Sequence, residues 1–94
     1  MLHTVKQSPF SHQALTQALA QMQPNDRLLL WQDGVIAAST AKWQLLLQSL
    51  ADDGRLYVMQ EDLQARGLTR LCGEPVCMAG WVKLVVKWGS PQAW

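Results

Sequence analysis

The chain has 94 residues, a formal net charge of +1, and a composition that is 49% hydrophobic but only 16% charged. Typical soluble domains contain about 25% charged residues. No run of Lys or Arg supplies the electrostatic footprint of a nucleic-acid-binding protein, and no apolar stretch reaches the ~18 residues of a membrane helix. The first residues lack the basic and apolar regions of a secretory signal, which predicts a cytoplasmic protein.

Five tryptophans accompany one Phe and one Tyr. A chain of this length is expected to form one domain over residues 1–94, and its core is thin. Each large aromatic side chain can bury about 150–250 Å², so we expect part of the aromatic surface to be buried against partner proteins. The two cysteines, without a secretory signal, indicate reduced thiols rather than a disulfide.

In the first half of the chain, β-prone and helical segments alternate. Met1–Val5 is β-prone, and Ser8-Pro9 predicts a helix start, because Ser caps free N–H groups and Pro needs no hydrogen bond in the first turn. The apolar face of this helix consists of Leu15, Ala18, Leu19 and Met22. Leu28–Trp31 lacks in/out alternation and predicts a strand covered on both faces, which is typical of a parallel sheet.

The alternation continues in the second half. A further helical face consists of Trp43, Leu46, Leu47 and Leu50. Leu56–Met59 predicts a third strand, Glu61–Arg66 a short helix, and Val76–Met78 a brief fourth strand. The last helical face consists of Trp81, Leu84, Val85 and Trp88. Pro91–Trp94 is expected to add a short edge strand that buries the ring of Trp94.

Strands and helices in alternation predict an α/β fold, because a βαβ unit places its two strands parallel and its helix across the sheet. We therefore predict a small three-layer sandwich with a mainly parallel sheet of four to five strands.

A polar corner, Gln32-Asp33-Gly34, follows the second predicted strand. Ligands bind at the carboxyl ends of parallel strands, so Asp33 is a candidate general base or metal ligand. The structural interpretation is that Asp33 caps the next helix and that Gly34 adopts a backbone angle that other residues resist. We favour the latter, because no second acid, His or Cys accompanies Asp33. Phosphate-binding glycine motifs are absent, and neither a cofactor nor a metal is expected.

Two thiols and two imidazoles are the remaining candidate reactive groups. Cys77 precedes the last predicted helix, and a helix N-terminus favours a thiolate. The spacing of Cys72 and Cys77 matches neither a redox pair nor half of a zinc site, and we expect Cys77 to lie in a buried strand as a small apolar residue. His3 and His12 are expected to be hydrogen-bonded or solvated rather than catalytic.

Trp81, Trp88 and Trp94 are candidate subunit-interface residues. The last helix is apolar nearly all round, because Val82 and Val86 widen its stripe, and such a helix is buried on two sides. Trp is enriched among the anchors of protein interfaces. The stripe is compatible both with burial in the chain's own core and with burial against a partner.

Four stretches resemble the DsrH/TusB family: LHTVKQSPF at 2–10, QDGVIAA at 32–38, EDLQARGL at 61–68 and QAW at 92–94. They occur in the family's order and span nearly the whole chain. The resemblance implies the DsrEFH-like α/β fold and a place among three related subunits in a cytoplasmic heterohexamer with two copies of each. In the TusB branch this complex passes persulfide sulfur towards 2-thiolation of the tRNA wobble uridine, and in the DsrH branch it serves sulfur oxidation.

The family's cysteine position favours one branch. DsrH-type members carry a cysteine in the first helix at the position of Ala18, which has no thiol to hold a persulfide. The resemblance therefore implies the TusB branch: a non-catalytic subunit beside two DsrE/DsrF-like (TusD/TusC-like) sister subunits, without direct nucleic-acid binding or membrane contact.

Several alternatives stay open. The chain is also compatible with a sulfurtransferase or sulfur carrier that uses Cys77 or Cys72, with a DsrH-type subunit of sulfur oxidation, and with a ligand-binding protein at Asp33. The isolated chain is expected to be capable of self-association.

Overall fold

The computed structural model describes all 94 residues and contains five strands. The strands are β1 (Leu2–Val5), β2 (Arg27–Leu30), β3 (Leu56–Met59), β4 (Glu74–Val76) and β5 (Gln92–Ala93). They form one sheet in the order β4-β3-β2-β1-β5, and every neighbouring pair is parallel. The predicted α/β fold is confirmed.

Helices connect all of the strands. They are α1 (Ala14–Gln21), a 3-10 helix (Gln32–Ser39), α2 (Ala41–Asp52), α3 (Gln60–Ala65) and α4 (Met78–Trp88). The longest of them, α2, has 12 residues, and none meets the length and hydropathy that crossing a bilayer requires.

The strand order fixes which helix covers which face of the sheet. From β1 to β4 the chain moves across the sheet in one direction, so right-handed crossovers place α1, α2 and α3 on the same face. The connection from β4 to β5 runs the opposite way across the whole sheet, which places α4 alone on the other face. The result is three layers, one of which is a single helix.

The central strands are covered on both faces. Leu28, Leu29 and Leu30 of β2 are fully buried, and all four residues of β3 are nearly so. This burial explains why neither strand shows in/out alternation in the sequence, and the bounds predicted for β3 are confirmed.

The prediction of a helix start at Ser8-Pro9 is wrong, because α1 begins at Ala14. Ser8 instead closes a turn: its carbonyl accepts the backbone N–H of His12 at 3.1 Å, and its Oγ accepts that of Phe10 at 3.2 Å. Ser side chains form hydrogen bonds with the local backbone in turns as well as at helix starts. The Ser8-Pro9 pair is therefore compatible with either structure.

The fourth strand is displaced from its predicted position at Val76–Met78. It covers Glu74–Val76, and Cys77 is the N-cap residue of α4. Pro75 disfavours a strand assignment in sequence, but β4 lies at the sheet edge, where a residue without an N–H is tolerated.

Gly34 is required by a close approach of two backbone segments rather than by its own backbone angle. A Cβ at this position would overlap the carbonyl oxygen of Val5, and the Gly34 N–H donates to the carbonyls of Lys6 at 3.2 Å and Trp31 at 2.9 Å. The residue with a positive φ at this corner is Gln32, at 50°. The predicted reason for Gly34 is therefore wrong.

Replacing Gly34 by Ala is expected to lower the free energy of unfolding by about 2–3 kcal/mol, because the new methyl group must push the end of β1 away. Gly80→Ala is the matched control. Its Cβ would lie 3.8 Å from the Cβ of Val76, an ordinary contact, and alanine favours a helix over glycine by about 0.5–1 kcal/mol. Urea unfolding of both variants measures the difference, and equal stability of the two would contradict this account of Gly34.

Candidate subunit interface

Helix α4 packs on the sheet with one side only. Trp81, Leu84 and Trp88 lie on that side, and Trp81 and Leu84 contact the core. No residue of α4 is buried. The expectation that this helix is buried on two sides is therefore not met within the chain itself.

The opposite side of α4 is apolar and open to solvent. Met78, Val82 and Val86 follow each other at intervals of four residues, and Val82 and Val86 are 54% and 82% exposed. We call these three residues the α4 outer face. Polar residues normally occupy the solvent side of a surface helix. Here the only charged residues of the helix are Lys83 and Lys87, which lie together on one flank of the outer face.

The three candidate tryptophans fall into two places. Trp81 and Trp88 share the inner side of α4, where the Arg27 guanidinium carbon lies 4.1 Å from the centre of the Trp88 ring. Trp94 follows β5, which forms the sheet edge opposite to β4. Its backbone N–H donates to the Thr4 carbonyl at 3.0 Å. The predicted edge strand is confirmed, and the Trp94 ring is half-buried.

Trp94 is held by a buried histidine. Its indole Nε1 donates to Nδ1 of His3 at 3.0 Å, so the ring proton of His3 lies on Nε2. That Nε2 donates to Oδ2 of Asp26 at 2.8 Å. Both ring nitrogens therefore have partners within the chain, and His3 is a structural residue.

Asp26 connects this pair to two further groups. Its Oδ1 accepts the N-terminal ammonium of Met1 at 3.0 Å, and its Oδ2 accepts the backbone N–H of Gln23 at 2.9 Å. Burial by itself raises the pKa of Asp26, but the hydrogen bonds from Gln23 and His3 and the ammonium charge outweigh it and lower the pKa to about 2. Local sequence patterns gave no sign of this carboxylate's role.

The corner after β2 contains a surface ion-pair network. Arg66 bonds Asp33 at 3.0 Å and Asp62 at 3.5 Å, while the Gln32 N–H donates to Oδ2 of Asp62 at 2.7 Å. The 3-10 helix has no side-chain cap, so the expectation that Asp33 caps it is wrong. No three His, Cys, Asp or Glu side chains are grouped where they could share a metal ion.

Comparisons with known proteins agree over the whole chain. Residues 7–90 match the model of the family described as DsrH like protein. The chain belongs to the DsrH-like family. Proteins named TusB from Pectobacterium parmentieri and Escherichia coli O1:K1 are 37% and 40% identical to it over 97 and 100 aligned residues. The TusB protein of Erwinia tasmaniensis is 37% identical over 99 residues. Each of these alignments covers all of both proteins.

Three positions of this DsrH-like chain bear on thiol chemistry: Ala18, where related proteins carry a cysteine, and the two cysteines, Cys72 and Cys77. The first two are inaccessible to solvent. Ala18 is fully buried in α1, and Cys72 is buried in the segment that connects α3 to β4. Burial raises the pKa of the Cys72 thiol, and the charge of Arg70 offsets this only in part. Neither position offers a reactive thiolate to a partner.

Cys77 is the accessible thiol, which corrects the expectation that it lies in a buried strand. It is exposed at the N-cap of α4. A carboxylate already occupies this helix end, because Oε2 of Glu61 accepts the Met78 N–H at 3.0 Å. A persulfide on Cys77 would therefore lie near an anion that is itself stabilised by the helix dipole.

The Asp26 network predicts a pH-dependent stability. The folded-state pKa of about 2 lies below the ordinary value of 3.8, so the folded chain binds this proton less readily than the unfolded chain. The contribution is complete above a pH of about 4 and is lost as the pH falls towards about 2. Asp26→Asn should lower the free energy of unfolding by about 1–3 kcal/mol at neutral pH, with a smaller loss near pH ~2.

Unfolding curves of the wild type and of Asp26→Asn across this pH range provide the test. Asp52→Asn is the control, because Asp52 is exposed and its side chain accepts a single hydrogen bond, from the Gln48 amide at 2.8 Å. A gap between wild type and Asp26→Asn that stays constant down to the lowest pH would contradict the assigned network.

Proposed function

We propose that this chain is a non-catalytic subunit of a cytoplasmic sulfur-relay complex that passes persulfide sulfur towards 2-thiolation of the tRNA wobble uridine. Its role is to bind two DsrE/DsrF-like (TusD/TusC-like) sister subunits, one of which carries the persulfide. The complex is a heterohexamer with two copies of each subunit. Similarity to TusB proteins over the full length supports the pathway, and the α4 outer face is the observation that carries the binding role.

The α4 outer face has the character of an unfilled protein interface. Its 11-residue helix is about 16 Å long, which suits the centre of an interface that buries about 800 Å² on each partner. Fully burying one valine or methionine side chain contributes about 1.5–3 kcal/mol. A partner that covers Met78, Val82 and Val86 thus gains several such increments, while a free monomer leaves them in water.

A second apolar surface lies on the other face of the sheet. Leu45 of α2 is 83% exposed, and Leu46 beside it is also open to solvent. Leu46 lines a groove of about 550 Å³ between α1 and α2, together with Leu19, Met22, Trp43 and Leu50. A subunit that holds two sisters needs two separated surfaces, and α2 and α4 provide them on opposite layers.

A sulfur carrier at Cys77 is the second candidate function. The exposure of this thiol at the N-cap of an 11-residue helix favours it. The Glu61 carboxylate on the same helix end, the apolar α4 outer face and the burial of Ala18 and Cys72 favour the binding role instead.

Replacing both cysteines, as Cys72→Ala with Cys77→Ser, is expected to leave complex assembly and sulfur transfer at wild-type levels. Cys72 is changed to alanine because it is buried, where a small apolar side chain costs less than a hydroxyl. The measurements are the co-purification of the sister subunits and the 2-thiouridine content of tRNA. Loss of transfer by a complex that assembles normally would establish the carrier function and overturn the proposal.

Val86→Glu is expected to weaken binding of a sister subunit by at least about tenfold, because it places a charge within the apolar surface. The side chain is 82% exposed in the free chain, so folding should be unaffected. Gln64→Glu, on the exposed side of α3, adds the same charge elsewhere and should assemble normally. Full assembly by Val86→Glu would exclude α4 as a partner surface.

A further inference from the structure

A cavity of about 490 Å³ lies at the end of the sheet opposite to the Asp33 corner, where β2 and β3 begin. Its lining consists of Pro24, Asn25, Arg27, Asp53, Arg55 and Trp88. Trp88 belongs to the last turn of α4. The last turn of α4, the helix that carries the α4 outer face, therefore forms part of the cavity wall.

Arg27 has no counter-charge on this chain. Its Nη1 donates to two neutral oxygens, the Gly54 carbonyl at 3.0 Å and the Tyr57 hydroxyl at 2.7 Å, and the Trp88 ring covers its guanidinium carbon at 4.1 Å. The Nε is buried without a hydrogen-bond partner. A partly buried charge that lacks an opposite charge is unfavourable, so an incoming anion would stabilise Arg27.

The other charges around the cavity do not supply that anion. Asp53 is the one carboxylate in the lining, and it is bonded to Nη2 of Arg55 at 3.1 Å. Lys87 adds a further cation, with its Nζ 5.1 Å from the centre of the Trp88 ring. Helix α4 itself contains no acidic residue. Arg27 and Lys87 thus lie against Trp88 as two cations, while the one carboxylate of the lining is paired with Arg55.

We propose that this cavity is a carboxylate-binding site, which receives an Asp or Glu side chain of the sister subunit that covers the α4 outer face. Nη2 of Arg27 has no partner within the chain and can donate a charge-assisted hydrogen bond to a carboxylate, while the charge of the whole guanidinium attracts it. A protein side chain is favoured over a nucleic-acid phosphate, because the cavity adjoins an apolar helix face that a phosphate backbone would leave uncovered. The inference rests on the proposed function and specifies the chemistry of the partner surface: apolar, with an acid beside Trp88.

Binding of the purified chain to its sister subunits at about 50 and about 300 mM salt tests the site, because added salt screens exposed charge pairs. Arg27→Gln should weaken binding about tenfold at the lower salt and reduce its salt dependence. Arg27→Lys, which keeps the charge but loses the planar guanidinium that packs on Trp88, should bind with an affinity between those of the wild type and Arg27→Gln. Arg66→Gln is the control, since it removes the same charge at the opposite end of the sheet.

A second variant keeps the test decisive if Arg27→Gln unfolds. Lys87→Glu changes an exposed residue, should leave the fold intact, and should weaken sister binding several-fold by repelling the incoming carboxylate. Wild-type affinity of Lys87→Glu, together with wild-type affinity of any folded Arg27→Gln, would overturn the proposal.

Two further measurements separate the possible failures. If Val86→Glu abolishes sister binding while the Arg27 and Lys87 variants bind normally, the carboxylate site is wrong and the proposed function stands. If Val86→Glu also binds normally, the proposed function fails. Binding of a single-stranded RNA oligonucleotide to the wild-type chain that is lost in Arg27→Gln, without any change in sister binding, would assign the cavity to phosphate and overturn the proposal.

Discussion

One helix alone covers a face of a five-stranded sheet, and the surface properties of this protein follow from that constraint. Strands lie about 4.8 Å apart, so the sheet is about 20 Å wide, while a helix with its side chains is about 10–12 Å across. The return from β4 to β5 crosses the whole sheet, which leaves no other helix to shield α4. Its inner residues cover the strands, and its outer valines face solvent.

The same constraint explains the environment of Arg27. On the face with α1, α2 and α3, several helices supply apolar cover for the strands. On the α4 face, the indole of Trp88 and the hydroxyl of Tyr57 surround the guanidinium. The Arg27 guanidinium and the apolar α4 outer face thus lie close together at one end of α4. A partner that is complementary to both gains binding specificity as well as buried interface area.

Features that depend on local periodicity could be predicted from the sequence. The parallel α/β class, the bounds of β3 and the edge strand before Trp94 all follow from apolar patterns within a few residues. The start of α1 could not, because Ser8-Pro9 is compatible with a turn as well as a helix. The prediction that Cys77 lies in a strand is wrong for a related reason: Val76-Cys77-Met78 is an apolar run, but β4 ends at Val76.

Contacts between residues that are far apart in the sequence could not be predicted from it. Arg27 meets Tyr57 across 30 positions, and Gln32 meets Asp62 across the same separation. Periodicity predicts that α4 is apolar nearly all round, but the tertiary structure alone shows which side faces solvent. The need for Gly34 likewise arises from the backbone of β1, which lies far from it in sequence.

Pro75 has a consequence for how copies of such sheets can meet. It occupies the middle of β4, the outermost strand on that side, paired with Val58. Because proline lacks an N–H, this margin cannot present a full row of hydrogen-bond donors to another strand. Lateral joining of two sheets into a continuous ladder is therefore disfavoured here, which leaves helix-mediated contact as the route by which larger assemblies form on this side.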